Sequence, residues 1–467
     1  MAAVGRLSSV LSHITPGKSS SSQSIPSSIL IVGSGVFGLS TAYALAQRLE
    51  YGSTAITVLD RVDFPAPDAA SIDSSRIIRA DYADYAYAAL MTEGKKLWHG
   101  EWGAEGRYNE PGLAIVIEDG EDGGGKEYMR KSLENVQRTG LKVGQKEDGG
   151  QVTVLESSSD CKKAMGTMGG SSGQRGYVNW TSGWADAEAG MRFLREKCSE
   201  CEYITFRTAE ISRLLFGNGN SVEGVELTSG EHIKADLTML ATGAWTPKFL
   251  DMRGLASASG QILAYLDITP EEQARLSLNP TLLNESTGMF IIPPKDNVLK
   301  VARHGYGYAN PTTTPHPERP DSDEQITVSL PRTKQDDPDL QIPKEGQQAC
   351  RSFLQQCIPD LGDRPFSHTR ICWYSDTPKG DWLIDYHPQY RGLFVATGGS
   401  GHAYKFVPVV GERIVDIIAG KCRDELGEEL RGKWSWPMQR HGEDHIWTND
   451  WRGGRKGMIL NEELARS

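Results

Sequence analysis

The fold class this sequence predicts is α/β, and three observations predict it. Residues 28–32 (SILIV) form a short apolar run ending in the turn Gly33-Ser34-Gly35-Val36-Phe37-Gly38. Residues 39–49 behind the turn read as a helix, and a second apolar run, residues 55–59 (AITVL), closes on Asp60. A strand, a glycine turn, a helix and a second strand make the start of a Rossmann-like nucleotide-binding unit.

Each part has a physical reason. Gly33 permits the tight turn, Gly35 lets a pyrophosphate approach the backbone, and Gly38 lets helix and strand pack closely. Val36 and Phe37 lead into the helix, whose first N–H groups and dipole favour phosphate. Asp60, about twenty residues beyond the turn, is placed to accept hydrogen bonds from an unphosphorylated ribose.

This fingerprint alone leaves NAD and FAD open. Two later segments favour the longer ligand. Residues 222–227 and 231–235 read as a hairpin leading into residues 236–245 (DLTMLATGAW), and residues 393–396 (LFVA) run into Thr397-Gly398-Gly399-Ser400-Gly401-His402. Each is an apolar strand delivering a turn of small residues. Three such turns converging on one extended ligand suit FAD.

Size and composition set the outer limits. A chain of 467 residues exceeds one ordinary core and implies two domains or a large insertion. With 38% apolar and 24% charged residues it is globular, and a net charge of -11 without clustered Lys and Arg argues against nucleic-acid binding. Seven scattered cysteines, with one Cys198-x-x-Cys201 and no second pair, suggest a reducing compartment and no zinc site. The sequons at Asn179 and Asn284 then read as chance matches. Residues 28–46 are apolar enough for a membrane span by length, but the glycine turn breaks them, so they read as buried core. Residues 1–25, rich in serine with Arg6 and Lys18 and no acid, read as a flexible extension. No Ser-His-Asp or metal constellation is present, which fits a cofactor performing the difficult step.

Four motifs in order carry a family resemblance over residues 28 to about 420: Asp73-Ser74-Ser75-Arg76-Ile77-Ile78-Arg79, Leu299-Lys300-Val301-Ala302-Arg303-His304, Arg370-Ile371-Cys372-Trp373-Tyr374-Ser375-Asp376-Thr377, and Gly399-Ser400-Gly401-His402-Ala403-Tyr404-Lys405-Phe406. With the glycine turns they resemble the D-amino-acid-oxidase-type flavoproteins, in the branch of monomeric sarcosine, pipecolate, saccharopine and fructosyl-amino-acid oxidases (amadoriases).

The resemblance implies a glutathione-reductase-type FAD domain built from residues 26–112, 170–252 and 365–440. A mostly antiparallel substrate domain, residues 113–169 and 253–364, would roof the flavin. Residues 441–467 would form a docked tail; the stretch Lys433 to Leu460 holds Trp434, Trp436, Trp447 and Trp451, more aromatics than a free tail carries, and reads as docking on the body.

It also implies site roles. FAD is covalently held by Cys372, and a thiolate attacking the flavin's dimethylbenzene edge calls for nearby cations. Ser75, Arg76, Gly401 and Lys405 join Val36, Phe37 and the glycines in binding the cofactor. Arg76 lies against the flavin face. Arg79 clamps the substrate carboxylate, the geometry that suits arginine, and Lys405 adds a second cation. Lys300 stabilises negative charge developing on oxygen. His304 orients the amine or tunes local charge, and one or two of the tyrosines near these motifs, such as Tyr82, cap the substrate.

The activity implied is oxidation of the carbon-nitrogen bond of a carboxylate-bearing secondary amine of sarcosine, pipecolate or saccharopine type, giving imine and hydrogen peroxide. Alternatives are an amadoriase, a natural-product oxidase acting on an N-methyl amino acid, and a flavin-binding scaffold without catalysis. The Arg-Ile-Ile-Arg segment, which amadoriases generally lack, favours the first. The partners implied are a small-molecule amine and oxygen, with no nucleic acid and no membrane, for an intracellular monomer or weak oligomer. The ending Ala465-Arg466-Ser467 departs from the peroxisomal tripeptide of many relatives, leaving cytoplasm or peroxisome open.

Overall fold

The computed structural model describes residues 25–120 and 124–466. The extension expected over residues 1–25 therefore lies outside the described residues apart from Ile25.

Ser28–Val32 pairs in parallel with Ala55–Asp60 on one side and Leu237–Leu240 on the other, Ile31 standing opposite both Val58 and Met239. Ile204–Thr208 and Leu393–Thr397 extend this parallel sheet, and Leu383–Tyr386 adds an antiparallel edge. A strand buried on both faces reads as a continuous apolar run. Ile29 and Ile31 belong to a core shared with helices, whereas Leu30 and Val32 pack with Ile211, Val225 and Leu227 of a small antiparallel sheet. Fully burying each such aliphatic side chain is worth about 1.5–3 kcal/mol.

The first helix runs Val36–Ala46, three residues earlier than the sequence suggested. Gly35 is its N-cap in extended conformation, so helical residues begin inside the glycine motif. It ends at Gln47, and Leu49–Tyr51 forms a separate 3-10 turn with Leu49 exposed to solvent. Helix Val407–Ile418 packs beside it, where the Ser40 hydroxyl donates to the Val407 carbonyl at 3.1 Å.

The second sheet has ten strands and is mostly antiparallel. Its centre is Ser257–Asp267, paired with His368–Asp376 and with Val298–Arg303. Arg175–Asn179 and His368–Asp376 hydrogen-bond in this sheet, although in sequence they fall inside residues 170–252 and 365–440. The reason is packing: Ile371 and Trp373 join the second core, with Ile262 and Phe353. The hairpin read at 222–227 and 231–235 forms, as Ser221–Leu227 against His232–Lys234. Among the described residues no helix is long and apolar enough to cross a membrane.

Residues near the C-terminus are held by both lobes. Trp434 stacks on Trp382 at 4.8 Å in the first core, and Trp436 packs on His387. Met458–Ile459 adds a parallel strand beside Tyr308–Ala309 in the second sheet.

Candidate active site

One long cavity runs between the two sheets, lined at one end by the glycine turn, Asp60 and Thr242, midway by Lys300 and Cys372, and at the other end by Arg79 and Lys405. Gly33 holds φ +108°, and a Cβ there would stand 2.4 Å from the Ala241 carbonyl oxygen. A Cβ on Gly38 would meet the Gly33 carbonyl at 1.9 Å. Gly35 differs, because a Cβ there would meet nothing nearer than the Ser71 hydroxyl at 4.0 Å. Its bare backbone borders the cavity at the start of a helix without a side-chain cap, the cradle a pyrophosphate needs. Asp60 accepts from the Ser34 amide at 2.7 Å and its hydroxyl at 2.5 Å, so the carboxylate expected at the ribose also ties the turn to the second strand.

Midway, two predicted residues, Lys300 and Arg76, converge on Asp73 together with Tyr265, which the sequence did not single out. The Asp73 carboxylate accepts from Lys300 Nζ at 3.0 Å, from Tyr265 at 2.7 Å and from Arg76. Lys300 also donates to the Ser75 carbonyl at 2.6 Å. Lys300 is 2% exposed, and burial, opposed by Asp73, brings its ammonium down to about 8. Lys300, Arg76 and Arg370 outweigh the desolvation of Asp73 and hold its carboxyl well below the ordinary range. Arg76 Nη2 lies 3.8 Å from Cys372 Sγ. Cys372 stands opposite Gln261 and Lys300 opposite Tyr265, so one central strand fixes both.

At the far end lie Arg79 and Lys405, both buried. Arg79 donates to the Asp81 carbonyl and, at 3.4 Å, to the Tyr128 hydroxyl, with its guanidinium 5.0 Å from the Tyr82 ring. Lys405, in the turn Tyr404–Phe406 ahead of the long helix, donates to Tyr82 Oη and the His402 carbonyl, each at 3.0 Å. Burial and the nearby Arg79 charge push its ammonium well below the usual lysine range. Neither cation has a carboxylate within ion-pair distance among the described residues.

His304 lies beside them, its Nδ1 3.4 Å from the Tyr374 hydroxyl and its ring 4.9 Å from that of Trp451. Burial, with Arg452 and Arg79 adding to it, keeps the imidazole neutral. Gly401 holds φ +72°, where a Cβ would stand 2.3 Å from the Tyr374 ring. This turn therefore presses Tyr374 into the cavity wall.

Sequence reasoning did not single out Asp73, Tyr128, Trp451 or Arg452. The signal for Asp73 was its place three residues before Arg76, the spacing of an ion pair. Trp451 showed only as one of four tail tryptophans, and Arg452 had no visible mark.

A nucleotide cradle joined to a buried cationic chamber within one α/β scaffold defines a dinucleotide-dependent oxidoreductase, and three small-residue turns along one cavity fit FAD. Comparison with known proteins agrees. Residues 28–417 match the family described as FAD dependent oxidoreductase, and the chain belongs to that family. The amino acid oxidase imqH of Aspergillus flavus is 34% identical, over 88% of this chain and 98% of that protein. The L-saccharopine oxidase of Schizosaccharomyces pombe is 30% identical over 87% of this chain and 92% of its own length. Fructosamine oxidase (Amadoriase II) from Aspergillus fumigatus superimposes with a TM-score of 0.77 at 26% identity, covering 93% of this chain and 95% of that one. The protein is an FAD-dependent oxidoreductase in the company of amino-acid and amine oxidases.

Proposed function

We propose that the chain oxidises the carbon-nitrogen bond of a small carboxylate-bearing secondary amine, yielding an imine and hydrogen peroxide. The observation that carries this reading is the pair Arg79 and Lys405, two buried cations without a carboxylate partner among the described residues. Burying unpaired charge is costly unless a ligand supplies the counter-charge. A substrate carboxylate would do so, with Arg79 offering a planar fork and Lys405 a point charge.

Bound FAD supplies the redox step, accepting a hydride equivalent from the carbon beside nitrogen and passing the electrons to oxygen. The chain's own groups prepare the amine. Arg79 and Lys405 disfavour a protonated nitrogen nearby, and neutral His304 is able to accept or donate one hydrogen bond to it. Lys300 contributes a fixed buried cation that lowers the cost of charging oxygen.

Cys372 holds FAD covalently in this reading. Cys372 would hold the group through an S–C bond replacing its S–H and one C–H of a flavin methyl group, with oxygen as the two-electron, two-proton acceptor giving peroxide. Arg76 Nη2, 3.8 Å from the sulfur, places a guanidinium beside the proposed attachment point. The seven free cysteines among the described residues accord with a reducing, intracellular setting, and the enzyme acts there as a monomer or weak oligomer.

The test is anaerobic mixing of holoenzyme with sarcosine, pipecolate, saccharopine, N-methylphenylalanine and fructosyl-valine, followed by air and a peroxide assay. Bleaching of flavin absorbance by a secondary amino acid, and not by the same amine without its carboxylate, is the expected result. Arg79→Met should raise KM roughly 10- to 100-fold. Bleaching by amines irrespective of a carboxylate would overturn the proposal, and preference for fructosyl-valine would favour the amadoriase reading suggested by the structural neighbour.

A further inference from the structure

We propose that Trp451, carried on the C-terminal segment, determines which substrate side chain is accepted, and that the favoured substrate bears a flat apolar group. This inference rests on the reading of Arg79 and Lys405 as the carboxylate site and adds what lies beyond the carboxylate.

Trp451 is 4% exposed and lines the same cavity as Arg79, His304 and Lys405. Its ring is 4.9 Å from His304 and 5.4 Å from Tyr128, and Tyr128 in turn lies under the Arg79 guanidinium at 5.7 Å. One aromatic ring therefore separates the indole from the carboxylate-binding cation.

The segment carrying the indole is fixed from several directions. The Gly453 amide donates to the His304 carbonyl at 2.9 Å, and the Tyr306 amide donates to the Gly453 carbonyl at 3.0 Å. Arg452, with a wholly buried side chain, donates to Asp450 at 2.6 Å and to Asp376 and the Ser400 carbonyl at 3.2 Å each. A wall held this way is preorganised, so a ligand does not bear the cost of ordering it.

The surroundings select for apolar character. Leu283, Phe290 and neutral His304 line this end, and Arg303 is occupied by Glu345 at 2.6 and 2.9 Å. The carboxylates bordering the cavity, Asp60, Asp68 and Glu210, belong to the dinucleotide end. With Arg79 and Lys405 taken by the carboxylate, a cationic substrate tail would meet no carboxylate lining this end among the described residues, whereas a ring would stack on the indole. The other tail tryptophans do not line the cavity: Trp434 and Trp436 pack elsewhere, and Trp447 lies against His445.

The experiment is titration of holoenzyme with acetate, phenylacetate and 3-phenylpropionate, followed by the change in flavin absorbance. The wild type should bind the aryl acids at least about tenfold more tightly than acetate. Trp451→Ala should cut that ratio to about threefold or less with acetate affinity and flavin content unchanged, and Trp451→Phe should restore most of it. Trp451→Leu, which keeps bulk but loses the flat face, decides the matter should the alanine variant fail to retain flavin. Equal binding of aryl acids and acetate by the wild type, or an equal loss for all ligands in the Trp451 variants, overturns the inference while leaving the carboxylate site standing. Failure of every carboxylate to bind the wild type removes the carboxylate site itself, and the inference with it.

Discussion

Asp73 accepts a 3.0 Å hydrogen bond from Lys300 where both side chains are 2% exposed, so the lysine proposed to serve oxygen is oriented by a buried carboxylate. The pair is not isolated, because Arg76 shares the same carboxylate. The cluster keeps a net positive charge while every member remains hydrogen-bonded.

The pH dependence of the oxygen reaction follows. Burial brings Lys300 down to about 8, so its ammonium is present below that pH and lost above it. Stopped-flow reoxidation should slow as pH rises through about 8. Lys300→Met should be slower by about 100-fold or more at pH 7 and lack this dependence, while reduction by substrate stays near normal.

Asp73→Asn should destabilise the fold by about 3 kcal/mol, since it leaves Lys300 and Arg76 buried without their anion. The folded carboxyl titrates below its unfolded value of about 3.9. Its contribution is therefore fully present above about pH 4 and lost as pH falls toward the folded value. Denaturant midpoints should converge for the two proteins in acid and separate at neutral pH.

Covalent attachment through Cys372 makes a plain prediction. After acid precipitation the yellow colour should stay with the wild-type pellet and move to the supernatant for Cys372→Ser. Colour retained in the serine pellet would assign the linkage to another residue, and colour lost from the wild type would leave FAD bound without a bond.

Gly35 and Gly38 should fail differently. A Cβ on Gly38 meets the Gly33 carbonyl at 1.9 Å, so Gly38→Ala should lower the melting temperature or prevent folding. Gly35→Ala finds open space and should fold, yet carry much less FAD, because the added methyl occupies the cradle. Circular dichroism with flavin absorbance separates the two outcomes.

Much of the fold was legible because its signals are local. A strand buried on both faces is an apolar run, and the glycine turn records where backbone must approach backbone. The helix boundaries were less legible: Gly35 caps the first helix without a side-chain signature, so its start falls inside the motif. His368–Asp376 was harder still, since its place in the second sheet depends on pairing with Ser257–Asp267, about a hundred residues earlier.

The sequence by itself determined the nucleotide-binding start, the order of the four motifs and the identity of the cations. Tertiary structure alone decided how they meet. Lys300 and Asp73 are 227 positions apart and Arg76 and Cys372 are 296 apart; register sets Lys300 and Cys372 on the two strands flanking Ser257–Asp267, and the segment carrying Asp73 and Arg76 packs against them. Trp451 gained its place in the cavity the same way, through backbone hydrogen bonds and a buried arginine that no local pattern encodes. Propensity and periodicity act over a few residues, whereas a site assembled between two sheets depends on contacts between segments remote in the chain.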